Sequence, residues 1–174
     1  MQISGFKILK FTAVCLLAAR VGVCSAQPII APGKIARHNL QVDARGNHLS
    51  GMMIARQTAN GPRVLATSYF GPTIFDFSLT PDSLKVNSCI EPMRRPKVLQ
   101  LLERDLRVLL VDRNGAKLKK QTPGKEVRKG GKGFGKSLYI ITYNPEGKVE
   151  RVLIKHPWIR LQLTVEELKE GLNN

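Results

Sequence analysis

Apolar residues recur at every second position through much of residues 41–90, the spacing of strands with one buried face. Segments 41–44 and 49–57 flank Arg45-Gly46-Asn47, a glycine-containing hairpin connection. Segment 63–70 follows the turn signal Asn60-Gly61-Pro62, and Gly71-Pro72 punctuates before 73–80. In that last stretch Phe75, Phe77 and Leu79 alternate with Asp76, Ser78 and Thr80. Pro81-Asp82 turns into 84–90, with Leu84, Val86 and Ile90 on one face. Connections this short join antiparallel neighbours, so the pattern predicts a meander of about five strands.

The period then changes. Over 96–111 the apolar positions Val98, Leu99, Leu101, Leu102, Leu106, Leu109 and Leu110 fall at helical spacing. Pro96 suits a first turn, and Glu103 can pair with Arg107 four residues on. A sheet with one apolar face needs such a cover. Residues 113–136, dense in Lys, Arg and Gly, read as a long loop or irregular hairpin. Three strands follow at 137–143, 149–156 and 158–163, and Thr164 with Glu167 forms a capping box for a short final helix. No internal repeat is apparent.

The N-terminus changes the picture of where this domain works. Lys7 and Lys10 precede an apolar run at 11–19, and Cys24-Ser25-Ala26 places small residues at a signal-peptidase site, so 1–26 reads as a secretory signal cut before Gln27. Val21-Gly22-Val23-Cys24 also has the outline of a lipobox, which would put a lipid on Cys24. Residues 27–38 read as a tether and 39–174 as one domain. Removing the signal takes away three bases and no acid, so the net charge falls from +15 to +12. Cys89 is then the one remaining cysteine, no internal disulfide can form, and a buried small hydrophobe is expected there.

Candidate chemistry is sparse. Residues 130–137 read G-G-K-G-F-G-K-S, a literal match to the nucleotide-binding G-x-x-x-x-G-K-[ST] string. A phosphate-binding loop must leave a buried strand and open a helix, whereas this one runs into the β-branched and aromatic 138–143. No nucleotide partner is therefore expected. Residues 113–136 hold nine Lys or Arg against the single acid Glu126, which suits either a solvated loop or contact with an anionic surface; nucleic acid is disfavoured by export. His38, His48 and His156 lack metal-ligand spacing and read as ordinary polar or half-buried histidines. With no nucleophile, paired-carboxylate or Cys/His signature, no catalytic residue, metal or cofactor is expected.

The strings Gly46-Asn47-His48-Leu49-Ser50-Gly51 and Phe70-Gly71-Pro72-Thr73-Ile74-Phe75-Asp76-Phe77, the 101–110 helix, and Lys155-His156-Pro157-Trp158-Ile159-Arg160-Leu161-Gln162-Leu163 carry a resemblance. Together they look like a group of exported proteins of gram-negative bacteria, many of them lipoproteins. That group is similar to the outer-membrane lipoprotein receptor (LolB-like) of the lipoprotein-localisation system. The resemblance covers about residues 39–168. It implies an incomplete antiparallel β-barrel, a half-barrel whose concave apolar face is covered by helix and holds acyl chains. The family commonly starts with a clean lipobox, from which this chain departs at Val23.

The fold class expected is α+β, mostly β: a half-barrel of about eight strands with one main covering helix and a short C-terminal helix. The functional expectation is an exported envelope protein, periplasmic or anchored to the outer membrane at Cys24. It would bind lipid or lipoprotein acyl chains without catalysis, through Phe75, Phe77, Leu79, Leu84, Val86, Leu102 and Leu106. The alternative is a structural or assembly scaffold of the envelope. It would dock to anionic surfaces or membranes through Lys117, Lys119, Lys120, Arg128, Lys129 and Lys132 of the basic segment.

Overall fold

A computed structural model of the chain describes residues 27–31 and 35–168. The expected signal segment and Cys24 lie outside the described residues.

The period-two segments form strands, as their patterning requires. Five make a first meander: β1 (Ala36–Ala44), β2 (Asn47–Thr58), β3 (Gly61–Ser68), β4 (Thr73–Leu79) and β5 (Leu84–Cys89). After a 3-10 turn comes the helix α1 (Pro96–Leu110), and then a second meander of five: β6 (Lys117–Thr122), β7 (Lys125–Gly130), β8 (Ser137–Tyr143), β9 (Val149–His156) and β10 (Leu161–Glu167). The two meanders join where the first and last strands pair, giving one antiparallel ten-stranded sheet in the order β5-β4-β3-β2-β1-β10-β9-β8-β7-β6. The sheet is open, with β5 and β6 as its edges.

Helix α1 links those two edges, and its register is set locally. Arg95 is extended, as a residue before proline must be, and Pro96 takes the first turn where no N–H is needed. Arg107 pairs with Glu103 at 2.8 Å, as the spacing predicts. One face of the helix, including Leu102, Leu106 and Leu109, packs on the inward sheet residues Leu40, Met53, Val64, Phe77, Ile141 and Ile154. Pairing aligns those inward residues across strands: Leu40, Val165, Val152 and Ile141 form one row. The row ends on Glu126 of β7, so the core turns polar toward the β6 edge. Cys89 is buried and free, as expected.

Several expectations need correction. The strand count is ten because the basic segment, read as a long loop or irregular hairpin, is the irregular hairpin β6–β7 and adds two strands. Every residue of β6 is exposed, so neither face needs apolar residues and no alternation marks it. The capping-box residues Thr164 and Glu167 lie in β10 rather than in a helix. There Leu163 and Val165 face the core, and burial of that alternating face outweighs the local helix-start signal. Trp158 sits in the turn before β10 and not in the strand. The tether is also revised: β1 starts at Ala36, and Ile29 and Ile30 are core residues. The Ile30 N–H donates to the Leu109 carbonyl at 2.8 Å, and Arg113 Nη2 donates to the Pro28 carbonyl at 3.2 Å.

Candidate functional site

Beneath α1 lies a cluster of polar side chains drawn from three elements. Asp105 points inward from the helix, Ser137 and Tyr139 from β8, and His156 from the end of β9; none is more than 2% exposed. The Tyr139 hydroxyl donates to Asp105 Oδ1 at 2.6 Å. Ser137 Oγ lies 3.4 Å from the same oxygen and 3.2 Å from His156 Nδ1. His156 Nε2 approaches Asp105 Oδ2 to 2.8 Å but off the line of a hydrogen bond. Burial, then the adjacent carboxylate, push the Tyr139 hydroxyl far above its ordinary pKa. Serine, histidine and aspartate are the residue types of a hydrolase, but here the carboxylate touches all three partners and the ring closes on itself. A nucleophile must be reachable by substrate, and Ser137 is fully buried. What the arrangement does is pin the helix to the sheet.

The G-x-x-x-x-G-K-S string is part of this pin. It bridges β7 and β8, and the chain enters a strand at Ser137 instead of opening a helix. Arg104, the residue before Asp105, hydrogen-bonds Ser137 Oγ. Gly131 has φ +65, and a Cβ there would collide with the Gly135 carbonyl and the Arg104 guanidinium. The loop's glycines thus allow close wrapping of one of the protein's own cations, where a phosphate loop would surround an anion.

A second buried group stands beside the first. Glu126 is 3% exposed and accepts hydrogen bonds from Arg128 and, at 2.6 Å, from the Tyr143 hydroxyl. Burial acts to raise its pKa, but Tyr143, Arg128 and Arg113 outweigh that and hold it below the usual carboxylate range. The same carboxylate, after burial, pushes Tyr143 up to about 12. Arg128 also donates to the carbonyls of Arg113 and Ala116. It is therefore removed from the expected anionic-surface residues: it faces inward on β7 because Glu126, two positions away, shares that face.

The expected acyl-chain residues are distributed differently from a cavity wall. Phe75, Phe77, Leu79, Leu102 and Leu106 belong to one close-packed core, with the Phe75 and Phe77 rings stacked at 4.7 Å. Leu84 is half-buried against that core. Val86 is 39% exposed on the edge strand and lies outside the buried core. Shared period placed Leu84, Val86 and Ile90 on one face, but β5 ends at Cys89 and is an edge strand, which leaves Val86 in water.

The other basic residues do reach solvent. On the outer sheet face, opposite the helix, Lys117 pairs with Lys129, which neighbours Leu138, then Lys155, Gln162 and Asp43 in one cross-strand row. The adjacent row runs Lys120, Val127, Ile140, Leu153 and Thr164. Lys119 sits at a bulge in β6, and Lys132 is exposed in the glycine-rich loop. The first row leads to an open groove of about 880 Å³ between the β1–β2 and β9–β10 turns, lined by Arg45, Asn47, Lys155, Trp158 and Arg160 among others. Trp158 is 62% exposed and meets Phe134 edge-on at 5.6 Å. Sequence reading missed this groove because its residues come from separate turns.

Among the described residues no helix is long and apolar enough to cross a membrane, and no group of three or more His, Cys, Asp or Glu could hold a metal ion. No protein-family model and no curated protein matches the chain. The crystal structure of a DUF1329 family protein from Desulfovibrio piger is similar over 80% of this chain and 87% of that one, at 7% identity and a TM-score of 0.29. A likeness at that score carries no argument about fold or function.

Proposed function

We propose that this chain is a non-catalytic envelope scaffold that docks on an anionic lipid surface through the outer face of β6–β9. The observation that carries the reading is the register of that face: Lys117, Lys120, Lys125, Lys129 and Lys155 surround the half-buried Val127, Leu138, Ile140 and Leu153. Each lysine near an anionic membrane contributes about 1 kcal/mol, and the aliphatic centre adds apolar contact without deep insertion. The helix-covered face, expected to hold acyl chains, is occupied by its own side chains, which moves the reading from carrier to scaffold. The half-barrel and the exported location remain part of the proposal, supported by the signal-like N-terminus and the open, helix-covered sheet.

Co-sedimentation with phosphatidylglycerol-containing vesicles and with neutral phosphatidylcholine vesicles tests it. Binding should require the anionic lipid, weaken steeply with salt, and fall when Lys117, Lys120, Lys125 and Lys129 are changed together to Gln. Equal binding to both vesicle types, or none to either, would sink the reading. Stoichiometric acyl species in native extracts would return the chain to the carrier class.

A further inference from the structure

We infer that the groove between the β1–β2 and β9–β10 turns is a seat for the phosphoryl group of an anionic lipid headgroup, an inference that rests on the docking reading above. Three cations line it, Arg45, Lys155 and Arg160. None of the three side chains has a hydrogen-bond or ion-pair partner among the described residues. The one acid in that lining, Asp43, is held by His48 at 2.6 Å. Two guanidinium forks beside an ammonium supply donors enough to engage both non-bridging oxygens of a phosphodiester.

The backbone supports a role for these particular side chains. Arg45-Gly46 is a two-residue hairpin turn in which both φ angles are positive, +49 and +87. Such turns strongly favour Asn-Gly or Asp-Gly, so an arginine there has no local reason. Arg160 repeats the feature at φ +51, and the Arg45 N–H donates to the Arg160 carbonyl at 3.3 Å, fastening the two turns side by side. Two non-glycine residues in left-handed conformation at one groove are the strain expected where side-chain placement serves binding.

A lipid in a bilayer, as opposed to a free phosphate, is favoured by what borders the groove. Trp158 is a lining residue, and it and Phe134 are both largely exposed. An amphipathic ring such as the Trp158 indole settles at the headgroup level of a membrane. The lysine row of the outer face runs directly into the groove through Lys155, so the seat and the docking surface meet one bilayer.

The test uses Arg45→Asn with Arg160→Asn, because asparagine tolerates the left-handed backbone while losing the charge. The control is Lys125→Gln with Lys129→Gln, which removes the same charge from the outer face. At about 0.5 M NaCl, where diffuse surface attraction is screened, wild type should retain measurable binding to phosphatidylglycerol vesicles. The arginine pair should lose it by about tenfold or more, with an unaltered or raised melting temperature. The lysine pair should match wild type at that salt and be weaker only at low salt. Equal losses in the two variants would overturn the seat while leaving the docking face standing. No vesicle binding by wild type even at low salt would overturn both. Inorganic phosphate titrated calorimetrically supplies the remaining arm: saturable binding without vesicles, abolished in the arginine pair, would assign the groove to a free phosphorylated compound and overturn the bilayer source.

Discussion

The Tyr139 hydroxyl donates to Asp105 Oδ1 at 2.6 Å, joining the middle of β8 to the middle of α1 inside the core. A carboxylate taken out of water needs partners: Oδ1 has Tyr139, and Oδ2 lies 2.8 Å from His156 Nε2 outside hydrogen-bond geometry. Its partners in turn keep the helix in one position over the sheet. Asp105→Ala should therefore cost about 3–5 kcal/mol, leaving Tyr139, Ser137 and His156 facing an unfilled space. A double-mutant cycle with Tyr139→Phe isolates the pair, and its coupling should be about 1–2 kcal/mol. Additive losses measured by urea unfolding would show that the contact is incidental.

Phe77 distinguishes a filled core from a ligand wall. It is fully buried, stacked on Phe75 and covered on the same face by the helix. Phe77→Ala is expected to lose about 3–5 kcal/mol, the cost of a cavity that close-packed neighbours only partly close. A loss under about 1 kcal/mol would instead fit a side chain facing exchangeable ligand.

The glycine-rich string offers a contrast between two of its residues. Lys136 is exposed, and Lys136→Ala should change stability by no more than about 0.5 kcal/mol. Gly131→Ala should be several times worse, since it demands a left-handed alanine and displaces both the Gly135 carbonyl and Arg104. Thermal melts of the two variants side by side decide the matter. The reverse order, accompanied by magnesium-dependent nucleotide binding that Lys136→Ala removes, would reinstate a phosphate loop.

His38 gives the fold a pH dependence of definite sign. It is buried, its Nε2 has no hydrogen-bond partner, and burial lowers its pKa more than Glu167 across the strand pair raises it. The unfolded chain therefore takes up this proton first. The contribution is complete above the unfolded value of about 6.5 and is lost as pH falls from there toward the depressed folded value. Asp76 titrates in the opposite region: its bonds to Arg63 and Asn87 lower its pKa, so its stabilisation persists until the pH drops below about 4. His38→Leu should flatten the urea midpoint between about pH 7 and 5 and leave the acid limb in place. An unaltered slope in that window would show that His38 does not titrate with unfolding.

What the chain states in its own sequence is whatever depends on near neighbours. Alternation at Phe75, Phe77 and Leu79 marks β4, the spacing from Pro96 to Leu110 marks α1 almost to the residue, and 137–143 and 149–156 are read with their observed bounds. Each of these elements has one face in the core, so burial writes a period into it. Strand β6 has no buried face and leaves no period, which is why the sequence left loop and irregular hairpin open there. The final capping box misled for the converse reason: a local signal at Thr164 yields to pairing with β1 and β9, which only the assembled sheet supplies. Tertiary structure alone decided the polar clusters and the groove. Asp105 meets Ser137 from 32 residues away, and Arg45 meets Arg160 only because β1 pairs with β10. Charge and polarity carry no address along the chain: whether Arg128 faces water or Glu126, and whether His156 is open or sealed, is set by which distant strand lies beside it.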